Sequence, residues 1–478
     1  MITHDTLYIG GSWASPSSDE RRPVTNPATG AVIGTVPDAG PADLARALSA
    51  ARAAFPVWAA TSLPERVAVL RAIRDGLAAR HDELADLITA EMGAPRRVSR
   101  SLQVGLPLQV LDGYLSLLAE PAAEPELIGH SRVYRQPVGV VAAITPWNYP
   151  IHQAIAKIAP ALAAGCPVVL KPSELTPLST YLLTEIIDAA GLPPGGFNLI
   201  CGPGAAIGAE LVADPTVDLV SFTGSTRAGR QVAAAAAGQL TRVALELGGK
   251  SANILLPDAD HRVAVKVGVA NCFLNTGQTC TALSRMLVHT SAYEEAVERA
   301  GEYAAGFTVG DPTDPGTRLG PLVSAAQRDR VQSLVQQGIA AGARLVTGGP
   351  AATGLPETGH YVAPTVLADV PPGSELAQEE VFGPVLSILP YRDVDEAVRI
   401  ANHSRYGLTG GVWSADPERA VAVARRLRTG QVDINGAAFN PVAPFGGYGD
   451  SGLGREHGRY GLAEYQELTS VQLPEPRS

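Results

Sequence analysis

Cysteine is scarce in this chain: Cys166, Cys201, Cys272 and Cys280 are the four present among 478 residues, and no two stand as Cys-x-x-Cys. Zinc and dithiol-redox readings therefore lack support, and so few thiols in so long a chain make a disulfide framework unexpected. Free thiols suit a reducing, cytoplasmic compartment. Basic charge is also in deficit, with 37 Lys and Arg against 47 Asp and Glu and a formal net charge of −10. That balance argues against a nucleic-acid partner and against an anionic membrane surface. Long apolar runs are missing too. The longest apolar region, residues 151–170, is interrupted by His152, Lys157, Pro160 and Pro167, so it does not read as a membrane span. Residues 1–13 show no basic stretch ahead of an apolar one, and no secretory signal is expected. Gly (50) and Pro (38) stay below the level of low-complexity sequence, and no short-period repeat is present.

What is present is a chain long enough for two or three domains, 46% hydrophobic and 18% charged. Residues 1–37 read as short strands and turns. Apolar spacing of three to four predicts helices over 42–60 and 64–92, the second with Ser62 as cap. From Gly139 onward, apolar strand candidates alternate with helical stretches: VGVVAAI, PVVLK, FNLIC, DLVSFTG and RVALEL, with helices over 152–164 and 178–190. A second series follows Gly249, with ANILL, RMLVH, ARLVTGG and QVDING. Strand–helix alternation predicts parallel sheets covered by helices on both faces, in two successive α/β units with a cleft between them.

Chemistry concentrates at Cys280, in Gly277-Gln278-Thr279-Cys280, and at Glu246, which opens Glu246-Leu247-Gly248-Gly249-Lys250. A cysteine attacks only as its thiolate, and a carboxylate can serve as the base that deprotonates it or activates a water. Alone, Cys280 would read as a small buried apolar residue; the paired, glycine-framed context favours a nucleophile. Cys272, eight residues earlier, reads as packed core.

Read together, ELGGKSANILL, NTGQTCTALSR, TPWNYP, KPSE, FTGSTRAG, EEVFGPV and PFGGYGDSGLGRE resemble the NAD(P)-dependent aldehyde dehydrogenase superfamily over nearly the whole chain. The resemblance implies two Rossmann-like α/β domains with a β-ribbon oligomerisation arm. Its boundaries would be a cofactor-binding domain over 1–123 and 141–247, an arm over 124–140 and a catalytic domain over 248–450. A return segment over 451–478 would carry a C-terminal strand near 469–473. The arm and that strand would pair across a subunit interface, giving a homodimer or homotetramer.

The cofactor implied is NAD, with NADP possible. A Gly-x-Gly-x-x-Gly match at 447–452 is not its site, because it follows a Pro-rich loop and no βαβ unit succeeds it. The turn from Phe222 through Gly224 and Ser225 is better placed: a strand ends there and a helix begins, and helix N-termini hold phosphates. The resemblance assigns Lys171, Ser173 and Glu174 to the adenosine ribose. Glu174 would repel a 2′-phosphate, while Lys171 leaves NADP open. It adds Ile144, Thr145, Pro146, Trp147, Gly204, Gly208, Leu247 and Gln327, with Glu380 and Phe382 at the nicotinamide end.

By the same resemblance, Cys280 attacks the aldehyde, Asn148 and the Cys280 N–H hold the oxyanion, and Glu246 activates water on the thioester. Lys157 matches a position sometimes assigned to proton relay, although a lone helical Lys is usually a solvated charge. Substrate positions map to Tyr149, His152, Gln153, Ala156, Thr279, Thr281, Phe439 and Phe445. A small Ala156, two Phe and no paired arginines imply a neutral apolar or aromatic aldehyde. Asn275-Thr276, Arg227 and Gly449-Asp450 depart from the commoner pattern. The competing readings are a CoA-acylating semialdehyde dehydrogenase, which would lack the Glu246 base, a cysteine hydrolase or thioesterase, and a cofactor-binding protein without turnover.

Overall fold

The computed structural model describes residues 1–120 and 125–474. The first residue of the expected arm, Glu124, and the neighbouring domain boundary at 123 lie outside them.

Five parallel strands form the centre of the first sheet. Across it they run Arg242–Glu246, Leu219–Thr223, Val141–Ile144, Val168–Lys171 and Phe197–Leu199. The first strand in the chain is central: the chain builds outward on one side, then returns and builds on the other. Such strands are covered on both faces and read as unbroken apolar runs, as Val141–Ile144 does with all four residues buried. Antiparallel additions close both edges, Gly452–Leu453 on one side and the hairpin Leu7–Ile9/Ser12–Ala14 on the other.

Helix Pro150–Ala164 is buried along its whole length and begins two residues before the expected start, because Pro150 supplies a preset first turn. The expected helix over 64–92 is two, Leu63–Ala79 and His81–Met92. Arg80 breaks it at φ −105° and ψ 22°, where its guanidinium holds both Glu83 and Glu185. The stretch Arg96–Ala119 is long and apolar enough to cross a membrane by length and composition alone. It packs Val110, Leu111 and Tyr114 against Leu63–Ala79 and Pro150–Ala164.

The second sheet has Arg344–Thr347 as an antiparallel edge. Then, all parallel, come Thr365–Ala368, Val385–Tyr391, Arg285–His289, Ala252–Leu255, Thr409–Trp413 and Gln431–Ile434. Thr365–Ala368, Val385–Tyr391 and Thr409–Trp413 escape the sequence pattern, since short buried apolar runs carry no periodicity that separates strand from helix. One apolar core surrounds the first sheet and two smaller ones flank the second.

Two small sheets stand apart: Ile2–Thr3, Val32–Pro37 and Arg21–Thr25 form one, and Gln466–Gln472, Ser131–Pro137 and Glu126–Ile128, all antiparallel, form the other. The C-terminal strand begins three residues earlier than expected and pairs with Ser131–Pro137 of the same chain. All four cysteines are free.

Candidate active site

The carboxyl ends of Val141–Ile144 and Leu219–Thr223 flank the point where the first sheet reverses its winding, which is where open α/β sheets bind ligands. A cavity of about 800 Å³ opens there. It is lined by Ile144, Thr145, Pro146, Trp147, Lys171, Ser173, Glu174, Gly204, Gly208, Phe222, Gly224 and Ser225. A second cavity of about 470 Å³ shares Pro146, Trp147, Gly224 and Ser225 with it and adds Leu247, Gln327, Glu380 and Phe382. Every residue expected at the cofactor thus lines one continuous cleft, and the cleft ends at Asn148, Gln153 and Cys280.

Local structure explains these placements. Helix Thr226–Ala237 starts at the cleft with Ser225 as its cap, the hydroxyl accepting from Ala228 N–H at 3.3 Å. Lys171 is buried and donates to the Pro172 carbonyl at 2.8 Å and to Glu174 at 3.4 Å, so the pair is not the solvated one its spacing would suggest. Gln327 donates to the Val381 and Phe382 carbonyls and so fixes the loop that carries Glu380 and Phe382. Phe382 faces Trp147 edge-on at 5.4 Å across the cleft. Glu380 accepts from Gly249 N–H at 3.1 Å, and burial pushes its carboxyl up to about 7. Arg227 lines both cavities. The departure at Asp450 serves an ion pair with Arg230 at 2.7 Å.

Cys280 follows three consecutive left-handed residues, Asn275, Thr276 and Gly277. Left-handed Thr is strained, and the surroundings hold it. Asn275 donates to the Asn148 carbonyl at 3.0 Å, and a side chain on Gly277 would collide with the Gly383 carbonyl at 2.0 Å. The Asn148 amide donates one N–H to the Gln278 carbonyl at 3.0 Å, which leaves its second N–H free to face a substrate oxygen.

Glu246 ends its strand buried, with Gly224 N–H on its carbonyl. The 447–452 glycine run is a clamp on this strand, not a phosphate loop: Ser451 Oγ donates to Gly248 at 2.7 Å and Gly452 pairs with Glu246. Burial, reinforced by Glu456, holds the Glu246 carboxyl well above the usual carboxylate range. Burial and the carboxylates of Glu246, Glu380 and Glu456 raise the Cys280 thiol.

On the substrate side, Tyr149 Oη and Thr279 Oγ1 lie 3.0 Å apart beside Cys280, and the Thr281 carbonyl accepts from Thr409. Phe439 and Phe445 meet edge-on at 5.5 Å. Ala156 is buried one helical turn after His152.

The aldehyde dehydrogenase family model matches residues 13–471. The chain belongs to the aldehyde dehydrogenase family. It is 48% identical, over 98% of its length and 99% of the relative, to a 3-succinoylsemialdehyde-pyridine dehydrogenase of a Pseudomonas species. It is 44% identical, over 99% of both, to a geranial dehydrogenase of Castellaniella defragrans. Among solved structures, a mutant of aldehyde dehydrogenase C from Pseudomonas syringae, complexed with NAD+ and octanal, superposes with a TM-score of 0.96 at 46% identity, covering 98% of this chain and 96% of that one.

Within this family framework, Glu456, Gln103 and the buried setting of Lys157 escaped the sequence reading. Lys157 is fully buried, not solvated, with Nζ 2.6 Å from Glu456 and 2.7 Å from Thr223, whose hydroxyl reaches Gln153. Glu456 closes the PFGGYGDSGLGRE motif, but nothing local marks it as the partner of Lys157. Gln103 ends a π-helical turn, Ser99–Gln103, and donates to the Asn148 carbonyl at 2.8 Å. Such turns recur at functional sites.

Proposed function

We propose that this dehydrogenase oxidises a neutral apolar or aromatic aldehyde to the carboxylic acid through a thioester on Cys280, with NAD+ as acceptor. The observation that carries the hydrolytic reading is Glu246: a buried carboxyl of raised proton affinity, near enough for its charge to raise the Cys280 thiol, and the base a CoA-acylating enzyme would lack. Octanal in the Pseudomonas syringae complex, and geranial in the name of a relative, support an apolar substrate.

The cleft fits a dinucleotide: its volume continues from the helix N-terminus at Ser225 to Cys280, and Glu174 stands at the far end. Lys171, Ser173 and Glu174 would hold the adenosine ribose, Gly224 and Ser225 the phosphates, and Glu380 and Phe382 the nicotinamide riboside. The Glu174 carboxylate favours NAD+ over NADP+. When bound, the nicotinamide supplies the hydride acceptor.

Cys280 holds its proton at rest, so attack needs a base, and Glu246 takes that role. The thiolate adds to the carbonyl carbon, and the oxygen becomes an oxyanion held by the free Asn148 N–H and the Cys280 backbone N–H. Hydride loss restores the carbonyl and leaves the acyl group as a thioester. Once Glu246 has released the thiol proton to solvent, it removes a proton from water, the hydroxide adds to the thioester, and the Cys280 thiolate departs as the acid forms.

The expected division into 1–123 with 141–247, 124–140, 248–450 and 451–478 is part of this reading, as are a homo-oligomeric assembly and a cytoplasmic location. NADH formation over a panel of aldehydes tests the chemistry. Cys280→Ala is expected to abolish it, and Glu246→Gln to keep a single-turnover burst while losing steady turnover. A Glu246→Gln enzyme with unimpaired steady turnover would refute the deacylation role.

A further inference from the structure

Five rings run in contact from a surface loop to the nucleophile. Phe439, half-buried, lies edge-on to Phe445 and stands 5.9 Å from His457. Phe445 is also 5.9 Å from His457, His457 is 5.7 Å from His152, and His152 is 6.4 Å from Tyr149. Tyr149 reaches Thr279, the neighbour of Cys280. At the other end of the cluster Phe445 precedes Gly446, and a Cβ added at Gly446 would lie 3.0 Å from Glu246 Oε1. The cluster therefore forms an aromatic wall from the neighbour of Cys280 to the vicinity of Glu246.

An apolar wall has no need of two imidazoles at its centre. His152 is 7% exposed and His457 is 0% exposed. His152 Nδ1 and both ring nitrogens of His457 have no hydrogen-bond partner among the described residues. A neutral imidazole carries one donor and one acceptor, and buried polar groups are nearly always paired. The His457 backbone adds an independent sign, at φ 66° and ψ 151°. That region is occupied almost only by glycine, and a side chain kept there against strain points to a use for it.

We propose that His152 and His457 form an uncharged hydrogen-bonding subsite within the aromatic wall. It would receive one neutral polar atom, a ring nitrogen or a hydroxyl, ether or carbonyl oxygen, carried on the apolar body of the aldehyde away from its reacting carbon. This deepens the reading above and rests on that wall being the substrate's approach. Burial holds both rings neutral, His152 pushed down to about 3 and His457 to about 4, with the Lys157 charge acting in the same direction. An anionic tail would find the Lys157 charge already paired with Glu456, the carboxylate next in sequence to His457.

The test uses matched aldehydes that differ in a single polar atom: 3-phenylpropanal with its pyridyl analogue, and octanal with its terminal-hydroxyl analogue. The readout is the polar-to-apolar ratio of kcat/KM, followed by NADH formation in wild type, His152→Leu and His457→Leu. A general folding defect lowers both members alike and does not move this ratio. The wild type is expected to favour one polar member by about tenfold, the scale of one hydrogen bond, and both variants to lose that preference. His457→Gly, which relieves the backbone, is expected to fold at least as stably as wild type and also to lose the preference. A ratio that is the same in wild type and variants, with NADH formed from all four aldehydes, overturns the subsite alone. No NADH from any of the four overturns the dehydrogenase reading and the subsite with it.

Discussion

Lys157 shows how far one side chain departs from what its type suggests. It sits in a fully buried helix, and its ammonium is tied to Glu456 and Thr223. Removing one partner of a buried pair leaves an uncompensated charge and costs about 3–5 kcal/mol. Lys157→Met is therefore expected to lower Tm markedly. It also removes a positive charge that lowers the Glu246 pKa, while Glu456→Gln removes a negative charge that raises it. Deacylation needs ionised Glu246, so its rate falls as pH drops through that pKa. The acid limb of the steady-state pH profile is expected to move to higher pH in Lys157→Met and to lower pH in Glu456→Gln. Limbs that shift together would refute the coupling. Cys280, Glu246 and Asn148 were legible because each sits in a distinctive local motif. Glu456, Gln103 and His457 were not, because their contacts arise only on folding: Lys157 and Glu456 are 299 positions apart.

Among the elements, helix Leu178–Asp188 is capped from outside itself. Glu91, on His81–Met92, accepts from Leu178 N–H at 2.8 Å, from Ser179 N–H at 3.1 Å and from the Ser179 hydroxyl. The carboxyl thus satisfies donors that the helix start leaves open. Burial nevertheless wins over these hydrogen bonds and pushes Glu91 up to about 7. A carboxyl whose folded pKa lies above its unfolded value of about 4.3 binds its proton more tightly in the native state. Its contribution is complete below that unfolded value and is lost as pH rises through about 7. The Tm advantage of wild type over Glu91→Gln, whose amide does not titrate, is therefore expected to shrink from about pH 5 to pH 7.5. An advantage that grows over this range would contradict the assignment. Elements with a strong local signal, such as Pro41–Ala60 with its apolar spacing, were readable from sequence. The break at Arg80 was not, since it rests on Glu185, which is distant in sequence.

For the whole molecule, sequence order already implied two wound sheets with a cleft between them, because strand–helix alternation leaves few other topologies. It could not show how the small sheet of Glu126–Ile128, Ser131–Pro137 and Gln466–Gln472 is finished. Pairing Leu127 with Arg132, and Arg132 with Val471, puts Leu127, Tyr134 and Val471 on one face. The alternate rows put Ile128, Val133 and Leu468 on the other. Leu127 is 63% exposed, Ile128 58% and Leu468 68%, so the described residues leave apolar side chains open on both faces. A thin sheet with exposed apolar side chains among polar ones on both faces gains too little from its own packing to stand alone in water, and it offers edges to further strands. Another copy of the chain, covering it, resolves both problems, which is the physical content of the dimer or tetramer expectation. Light scattering on the wild type is expected to give a multiple of the 49.5 kDa chain mass. Leu468→Glu with Val471→Glu places one charge on each face and is expected to shift the population to smaller species with a lower Tm. A wild type that runs as a stable monomer would mean that these faces meet solvent after all.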